Sequence, residues 1–145
     1  MNRVAAADED GSTLLLTIFY GVLAFALVLV VVSATSLYLE RKRLFTLADG
    51  AALAAAESWG LDDVRVDAGE LVFDLEDGSV RAAASDYLGD AAHSLQSLEL
   101  VRADSSDGRS ATVTLRSVWH APISSEFLPV TVPIEVTADA RSVFH

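Results

Sequence analysis

The sequence contains no cysteine, which excludes disulfide bonds and thiolate metal sites and leaves the redox compartment undetermined. Positive charge is scarce as well, because 10 lysine and arginine residues face 21 acidic ones and the net charge is −11. Nucleic acids and anionic lipids both attract a positive field, so we expect the soluble part of the chain to bind neither. With 145 residues and no internal repeat, the length fits one soluble domain.

Motifs that would carry catalysis or hold a cofactor are also missing. The histidines His93, His120 and His145 are far apart in sequence, and none has the spacing of a metal motif. Residues 74–78 have only a superficial likeness to a calcium loop, because their glycine comes one place too early and no glutamate closes the loop. There is no glycine-rich phosphate loop and no serine elbow. We therefore predict a protein that is not an enzyme and that binds no cofactor or metal.

Charge is absent from 26 consecutive positions, residues 14–39. As a helix this run would reach about 39 Å, and the hydrocarbon core of a bilayer is about 30 Å thick. The run therefore predicts a transmembrane helix. A secretory signal cleaved near Ala34 is disfavoured by the length of the run and by the acidic residues 8–10 before it. A buried core helix is disfavoured because so short a chain has little room to surround it.

The helical pattern continues beyond the predicted membrane span. One helical face collects residues at spacings of three, four and seven: Leu37, Leu44, Leu47, Ala51, Ala54 and Ser58. Trp59 and Gly60 mark the predicted end, with Gly60 as the left-handed cap. This face is narrow and rich in small residues, which lets a sheet or another helix approach closely. It predicts a helical stalk at residues 40–59 that docks on its own domain, on neighbouring subunits, or on both.

After Gly60 the period of the pattern changes from 3.6 to 2. A hairpin is predicted from strands at residues 64–66 and 71–73. A short amphipathic helix follows, capped by Ser79 and running to Ala91. Three strands are predicted at residues 95–103, 111–119 and 130–139, with an Asp-Gly turn between the first two. The predicted class is α+β: a long N-terminal transmembrane helix continuing into a soluble stalk, then a small domain with an antiparallel sheet and one short amphipathic helix.

The alternation in the last two strands predicts which side chains face the core. Inward positions are Val113, Leu115, Trp119, Val130, Val132, Ile134, Val136 and Ala138. Pro133 cannot donate a ladder hydrogen bond, so the last strand is predicted at an edge or with a bulge. The loop at residues 121–129 contains Ile123, Phe127 and Leu128, which either tuck under the sheet or meet a partner. We favour the tuck. The predicted division of the chain is an N-terminal flank at 1–13, the span at 14–39, the stalk at 40–59 and the domain at 60–145.

Several of these residues together resemble a known family. Gly11 and Ser12 precede the apolar run, residues 37–44 form a charged collar at its end, and the alanine-rich block of residues 47–56 follows. This order resembles the TadE/TadG-like proteins, which are minor pilin-like components of the tight-adherence (Flp-type) pilus machinery. The resemblance covers roughly residues 9–58. It implies a role in pilus assembly, with the lipid bilayer, other pilin-like subunits and the inner-membrane assembly platform as partners.

The resemblance also assigns roles to particular residues. It places a prepilin-peptidase site at Gly11 and Ser12, although acidic residues stand before it. Counting from Ser12, the fifth position is Leu16, where pilins typically carry a glutamate. This favours the TadG-like side of the family, an anchored and accessory protein that stays unprocessed. The residues assigned to helix packing and assembly are Leu37, Glu40, Leu44, Leu47, Ala51 and Ala54.

Two signals disagree on the orientation of the protein in the membrane. Three basic residues at 41–43 follow the span and only Arg3 precedes it, so the positive-inside rule alone keeps the C-terminal domain in the cytoplasm. The resemblance implies the opposite, a single-pass protein with a cytoplasmic N-terminus and an extracytoplasmic domain, and we follow it. The predicted function is therefore a membrane-anchored minor pilin-like protein of a Flp-type pilus. The alternative is a membrane-tethered extracytoplasmic binding domain unrelated to pili.

Overall fold

The computed structural model describes residues 6–58, 64–67, 70–73, 75–123 and 129–141. Side chains are described in the same ranges, except at residues 6–11 and 64–73. The helices and strands within these ranges are, in chain order, α1 (Ala6–Ala56), β1 (Val64–Asp67), β2 (Glu70–Phe73), α2 (Asp77–Asp90), β3 (Glu99–Asp104), β4 (Ser110–His120) and β5 (Thr131–Arg141). The predicted α+β class is confirmed.

Helix α1 is a single unbroken element of 51 residues, about 75 Å long. Its first part carries exposed apolar side chains, and every side chain from Ser12 to Val28 is exposed. The hydroxyl groups of Thr17 and Thr35 donate to the carbonyl oxygens one turn back, each at 2.9 Å, so these polar groups stay satisfied away from water. The helix begins before the predicted span and ends at Ala56. The predicted cap residues Trp59 and Gly60 lie outside the described residues.

The second part of α1 packs on the rest of the chain, against β4, β5 and α2. Its buried side chains are mostly alanines, and Ala48, Ala52 and Ala55 are fully buried beside Leu44. Small side chains allow the helix axis to approach the sheet closely. Docking of the stalk on its own domain, one of the two alternatives left open by the sequence, is therefore what the structure shows.

Strands β3, β4 and β5 form an antiparallel sheet in the order β3-β4-β5. The central strand β4 places Val113, Leu115 and Trp119 in the core, as predicted. Its opposite face is polar, and Arg116 there pairs with Glu135 of β5 at 2.8 Å. The sheet therefore has α1 on one face and solvent on the other, which explains the clean alternation in the sequence.

The last strand confirms one prediction and corrects another. It lies at the edge of the sheet, where Pro133 opposite Val118 removes no ladder bond that the sheet needs. Ile134, Val136 and Ala138 are buried as predicted. Val130 and Val132 were predicted to face the core, but both are 38% exposed. The alternation continues there, while the core that should receive these side chains has already ended.

Helix α2 begins three residues earlier than predicted, because Glu76 and not Ser79 occupies the N-cap position. Asp77 opens the first turn, and its carboxylate accepts a hydrogen bond from the Ser105 backbone N–H at 2.9 Å. A long-range contact thus decides where the helix starts. The predicted inner face is correct at Val80 and Ala84, which are fully buried.

Strand β3 is shorter than predicted, starting at Glu99 instead of residue 95. Ser97 adopts a positive φ of 52°, which interrupts the extended chain before the strand. Leu95 is nevertheless part of the core, and the Ser117 hydroxyl donates to the carbonyl oxygen of Gln96 at 2.9 Å. The strands of the predicted first hairpin pair antiparallel as β1 and β2. The turn residues between them lie outside the described residues.

Candidate membrane anchor and junction

The first part of α1 is long and apolar enough to span a membrane. Its most apolar 18-residue window has a mean hydropathy of 2.8, and none of that window is buried inside the protein. The alternative that this run is a buried core helix is therefore wrong, because the domain would then cover it. Exposed leucine, valine and phenylalanine side chains over more than four turns are unfavourable in water and favourable in hydrocarbon.

A hydrogen bond fixes how far the domain reaches along α1 toward this apolar part. The indole Nε1 of Trp119, near the end of β4, donates to the hydroxyl oxygen of Ser36 at 3.2 Å. The first charge after the apolar run is Glu40, one helical turn further on. At 1.5 Å per residue, the domain therefore overlaps the uncharged run by about 6 Å. We call the part of α1 from Ser36 to Leu47, together with Trp119 and the segment 91–95 that follows α2, the junction.

The directions of α2 and β4 show which end of the domain lies beside the apolar part of α1. Asp77 at the start of α2 is tied to Ser105 in the β3–β4 turn, while Tyr87 further along α2 lies against Gly50 of α1. Residues after α2 line a groove with Leu39 and Leu47 of α1. Helix α2 and strand β4 thus both run antiparallel to α1. The β3–β4 turn is at the end far from the apolar part of α1, and the end of β4 is at the junction.

A groove opens at the junction between α1 and the segment that follows α2, with a cavity volume of about 670 Å³. Its lining is largely apolar, with basic side chains from α1 and a histidine from the segment: Leu39, Lys42, Arg43, Thr46, Leu47, Tyr87, Ala91, Ala92, His93, Ser94 and Leu95. Such a lining can bury apolar surface and offset a negative charge at one place. In the sequence these cations stand out only as a charged collar, and nothing local shows that they border a groove.

The predicted packing residues do not gather on one free surface. Leu44 and Ala51 are fully buried in the domain core, and Leu37 and Leu47 pack against it. Glu40 and Ala54 are half-buried. Their role in assembly with other subunits stays a prediction. Gly11 and Ser12, the predicted processing residues, lie in the first turns of α1, and Ser12 is exposed.

The predicted tuck of the loop at residues 121–129 is wrong for Ile123, which is 51% exposed. Ala121 at the start of the loop is buried, and its backbone N–H donates to the carbonyl oxygen of Val130 at 2.9 Å. Phe127 and Leu128 lie outside the described residues. The contact of Ser36 with Trp119 was not predicted either, because two residues 83 positions apart leave no local signal.

The side chains whose pKa values are shifted, Arg116 and Asp107, lie away from the junction, in β4 and in the β3–β4 turn. Hydrogen bonding and charge attraction from Glu135, with a further contribution from Glu99, raise the pKa of the Arg116 guanidinium. Hydrogen bonds from the backbone N–H groups of Arg109 and Ser110 lower the pKa of Asp107 in the β3–β4 turn. In the described part of the chain, no three histidine, aspartate or glutamate residues are grouped to hold a metal ion.

Comparison with known proteins finds one match, and it falls on α1. Residues 11–58 match the Tad family model. This model describes TadE/G-like proteins, whose role in Flp pilus assembly is inferred. The match covers about a third of the chain and ends just after α1. No curated protein and no solved structure matches the chain. The similarity therefore concerns the membrane-capable helix and the part of it that packs on the sheet, and it extends no further.

Proposed function

We propose that the protein is a membrane-anchored, minor pilin-like component of a Flp-type pilus. The observation that carries this proposal is the match of residues 11–58 to the TadE/G-like model. The structure adds that this segment is one continuous helix, exposed and apolar at first and packed on a small sheet domain afterwards. Such a chain can join a bundle of similar helices in the membrane while its domain stays outside the bundle.

The exposed part of α1 supports association with other pilin-like helices. Within a bilayer the apolar effect does not drive helices together, so pairing depends on close van der Waals contact at small residues. Gly21, Ala24 and Ala26 supply small positions in this part of the helix, and all three are exposed. The partners we propose are other pilin-like subunits and the inner-membrane assembly platform.

In the proposed topology the chain crosses the membrane once, with a cytoplasmic N-terminus and an extracytoplasmic domain. The basic collar opposes this orientation by charge alone. In the structure Lys42 and Arg43 border the groove at the junction and are thus part of the domain surface. A reporter fused after His145 tests the orientation, and activity of a cytoplasmic reporter would contradict it.

The pilus role is tested by deleting the gene and counting pili and surface-attached cells. We expect loss or shortening of pili, restored by the full-length chain. A second experiment uses the absence of cysteine, because Ala24→Cys gives the chain a single thiol within the exposed part of α1. Oxidation in membranes should link it to a pilin-like subunit carrying a matched cysteine. Ser106→Cys, on the exposed far end of the domain, is the control that should not link.

Unchanged pili in the deletion strain would contradict the proposed role. The finer assignment, an unprocessed TadG-like protein, has its own test in the intact mass of the protein extracted from membranes. Cleavage after Gly11 would give a product that begins at Ser12. That product would contradict the unprocessed form and leave the pilus role in place.

A second candidate function is a membrane-tethered binding domain unrelated to pili, and the groove of about 670 Å³ at the junction favours it. Under this function the groove would hold an envelope component with an apolar part and a negative charge. Lys42→Gln should then abolish binding of that component without changing pilus number. Neighbouring genes for a secretion ATPase and a prepilin peptidase would favour the pilus role instead.

A further inference from the structure

The end of the domain that lies beside the apolar part of α1 carries an exposed apolar patch. Ile123 is 51% exposed, and Val130 and Val132 are each 38% exposed. We call these three residues the hairpin patch, because they lie where β4 turns back into β5. Val132 continues the face that holds Ile134 and Val136 in the core. The patch thus consists of the end of the inner sheet face beyond the core and of Ile123 in the turn beside it.

The composition around the patch differs from that of the rest of the protein. Charged residues make up 21% of the chain, and the net charge is −11. Residues 121–132 contain a single charge, at Glu126, together with two prolines and several large apolar residues. Among the described residues of this segment, Ile123, Val130 and Val132 expose apolar side chains in an otherwise acidic protein, which indicates contact with a surface other than water.

The height of the patch relative to the membrane follows from α1. Trp119 donates to Ser36 at 3.2 Å, and β4 runs toward the apolar part of α1 as it reaches His120. Val132 pairs with Trp119 at this level, and Val130 and Ile123 lie beyond His120. The patch is thus level with helix residues that come before the first charge at Glu40. Tyr38, 67% exposed at the same level, is a residue type enriched at the boundary of a bilayer.

We propose that the hairpin patch inserts into the interfacial layer of the bilayer beside α1, as a second membrane contact on the domain's side. This inference rests on the membrane anchoring in the proposed function. Apolar faces that lie in this layer sink about 5–10 Å into the headgroup and acyl boundary, and the overlap of the domain with the uncharged run is about 6 Å. The partner is a lipid surface, recognised by apolar burial and not by charge.

The proposal is tested with the full-length chain in phospholipid nanodiscs that hold one copy each. Because the chain has no cysteine, Ile123→Cys carries one nitroxide label. Power-saturation spectroscopy then compares its accessibility to oxygen, which concentrates in lipid, and to a water-soluble nickel complex. Val28→Cys in the middle of the span and Ser106→Cys at the far end of the domain are the references, and both positions are exposed.

We expect the oxygen-to-nickel ratio at Ile123 to lie well above that at Ser106 and below that at Val28. A ratio at Ile123 equal to that at Ser106, with Val28 in lipid, would overturn the hairpin contact and leave the anchor intact. A water-exposed Val28 would instead show that the proposed anchoring itself fails. Shielding of Ile123 from both reagents would place protein on the patch and also overturn the proposal.

A second label position guards against a local effect of the first substitution. Val132→Cys lies on β5 at the same end of the domain, and its ratio should shift in the same direction as that of Ile123. Glu135→Cys, on the solvent face of the same strand, is the matched control and should stay accessible to nickel. Equal ratios at Val132 and Glu135 would count against the proposal.

Discussion

Gly50 shows how a single missing atom shapes the packing between α1 and α2. A Cβ built on Gly50 would lie 2.1 Å from the hydroxyl oxygen of Tyr87 and 2.6 Å from its ring carbon Cζ. From the sequence, Gly50 only costs helix stability, about 1 kcal/mol relative to alanine. In the structure it makes room for the Tyr87 ring on the surface of α1.

The two effects of Gly50→Ala have opposite signs and can be separated. In the natural chain the exposed end of the Tyr87 ring must turn aside, and the loss of its contact should offset the gain in helix propensity, so that stability changes by less than about 1 kcal/mol. In a Tyr87→Ala background the clash is gone, and the same substitution should stabilise by up to about 1 kcal/mol. Thermal unfolding of the full-length protein in detergent micelles measures both. An equal effect in the two backgrounds would contradict the role assigned to Gly50.

Asp107 makes the stability of the β3–β4 turn depend on pH. Its carboxylate accepts hydrogen bonds from the backbone N–H groups of Arg109 and Ser110 at 2.9 and 2.7 Å, beside Gly108 at a positive φ of 67°. These bonds lower the pKa of Asp107 in the folded protein. The stabilisation is therefore present above the ordinary aspartate pKa of about 3.9 and is lost as the pH falls through the lower folded value.

We expect Asp107→Asn to reduce the loss of stability on acidification. The asparagine keeps the shape of the turn but has no carboxyl proton to gain, so this part of the pH dependence disappears. Unfolding temperatures of both proteins at neutral pH and at about pH 3 provide the comparison. A difference between the two pH values that is as large in Asp107→Asn as in the natural protein would contradict the prediction.

At the scale of elements, the contact between α1 and the sheet depends on alanine side chains. Ala52, on the part of α1 that packs on the domain, is fully buried in the core. Ala52→Leu adds three carbons to a filled interface and should destabilise the domain by about 1–3 kcal/mol. Ala82→Leu, the same change at an exposed position of α2, should stay within about 0.5 kcal/mol. Similar unfolding temperatures for both variants would show that the interface is loosely packed.

The elements differ in how far the sequence alone predicted them. Strand β4 and the C-terminal part of β5 were predicted correctly. One face of these strands meets α1 and the other meets solvent, so apolar and polar residues alternate in the sequence. The start of α2 and the length of β3 were not, because contacts with distant segments place Asp77, through Ser105, and Gln96 before β3, through β4. Val130 and Val132 follow the inner pattern without being buried, and no local pattern tells where a core ends.

At the scale of the whole molecule, the sequence predicted the order of its parts but not how they sit together. The uncharged run, the alanine-rich block and the alternating strands each carry a period that indicates one element. The groove and the Ser36–Trp119 contact arise only when α1 lies on the sheet, and they join residues remote in sequence. The resemblance at residues 9–58 agrees with the family match at 11–58, and neither covers the sheet domain.

The continuity of α1 leads to a prediction for the complete protein in its proposed role. One alanine inserted between Ala34 and Thr35 lies before the contact at Ser36 and turns the domain by about 100° relative to the span. Pilus assembly in the deletion strain should then be restored poorly, although protein level and domain stability are unchanged. Four inserted alanines turn it by only about 40° and should restore more. Equal restoration by both variants would show that orientation about the helix does not matter.

Helix α1 runs without a break from its apolar part to the sheet. Among the described residues there is therefore no flexible segment that would let the domain rotate relative to the apolar part. A rotation of the apolar part about the helix axis therefore turns the domain by the same angle. In the proposed role, the helices that pack on the apolar part of α1 would therefore also set which side of the domain faces outward.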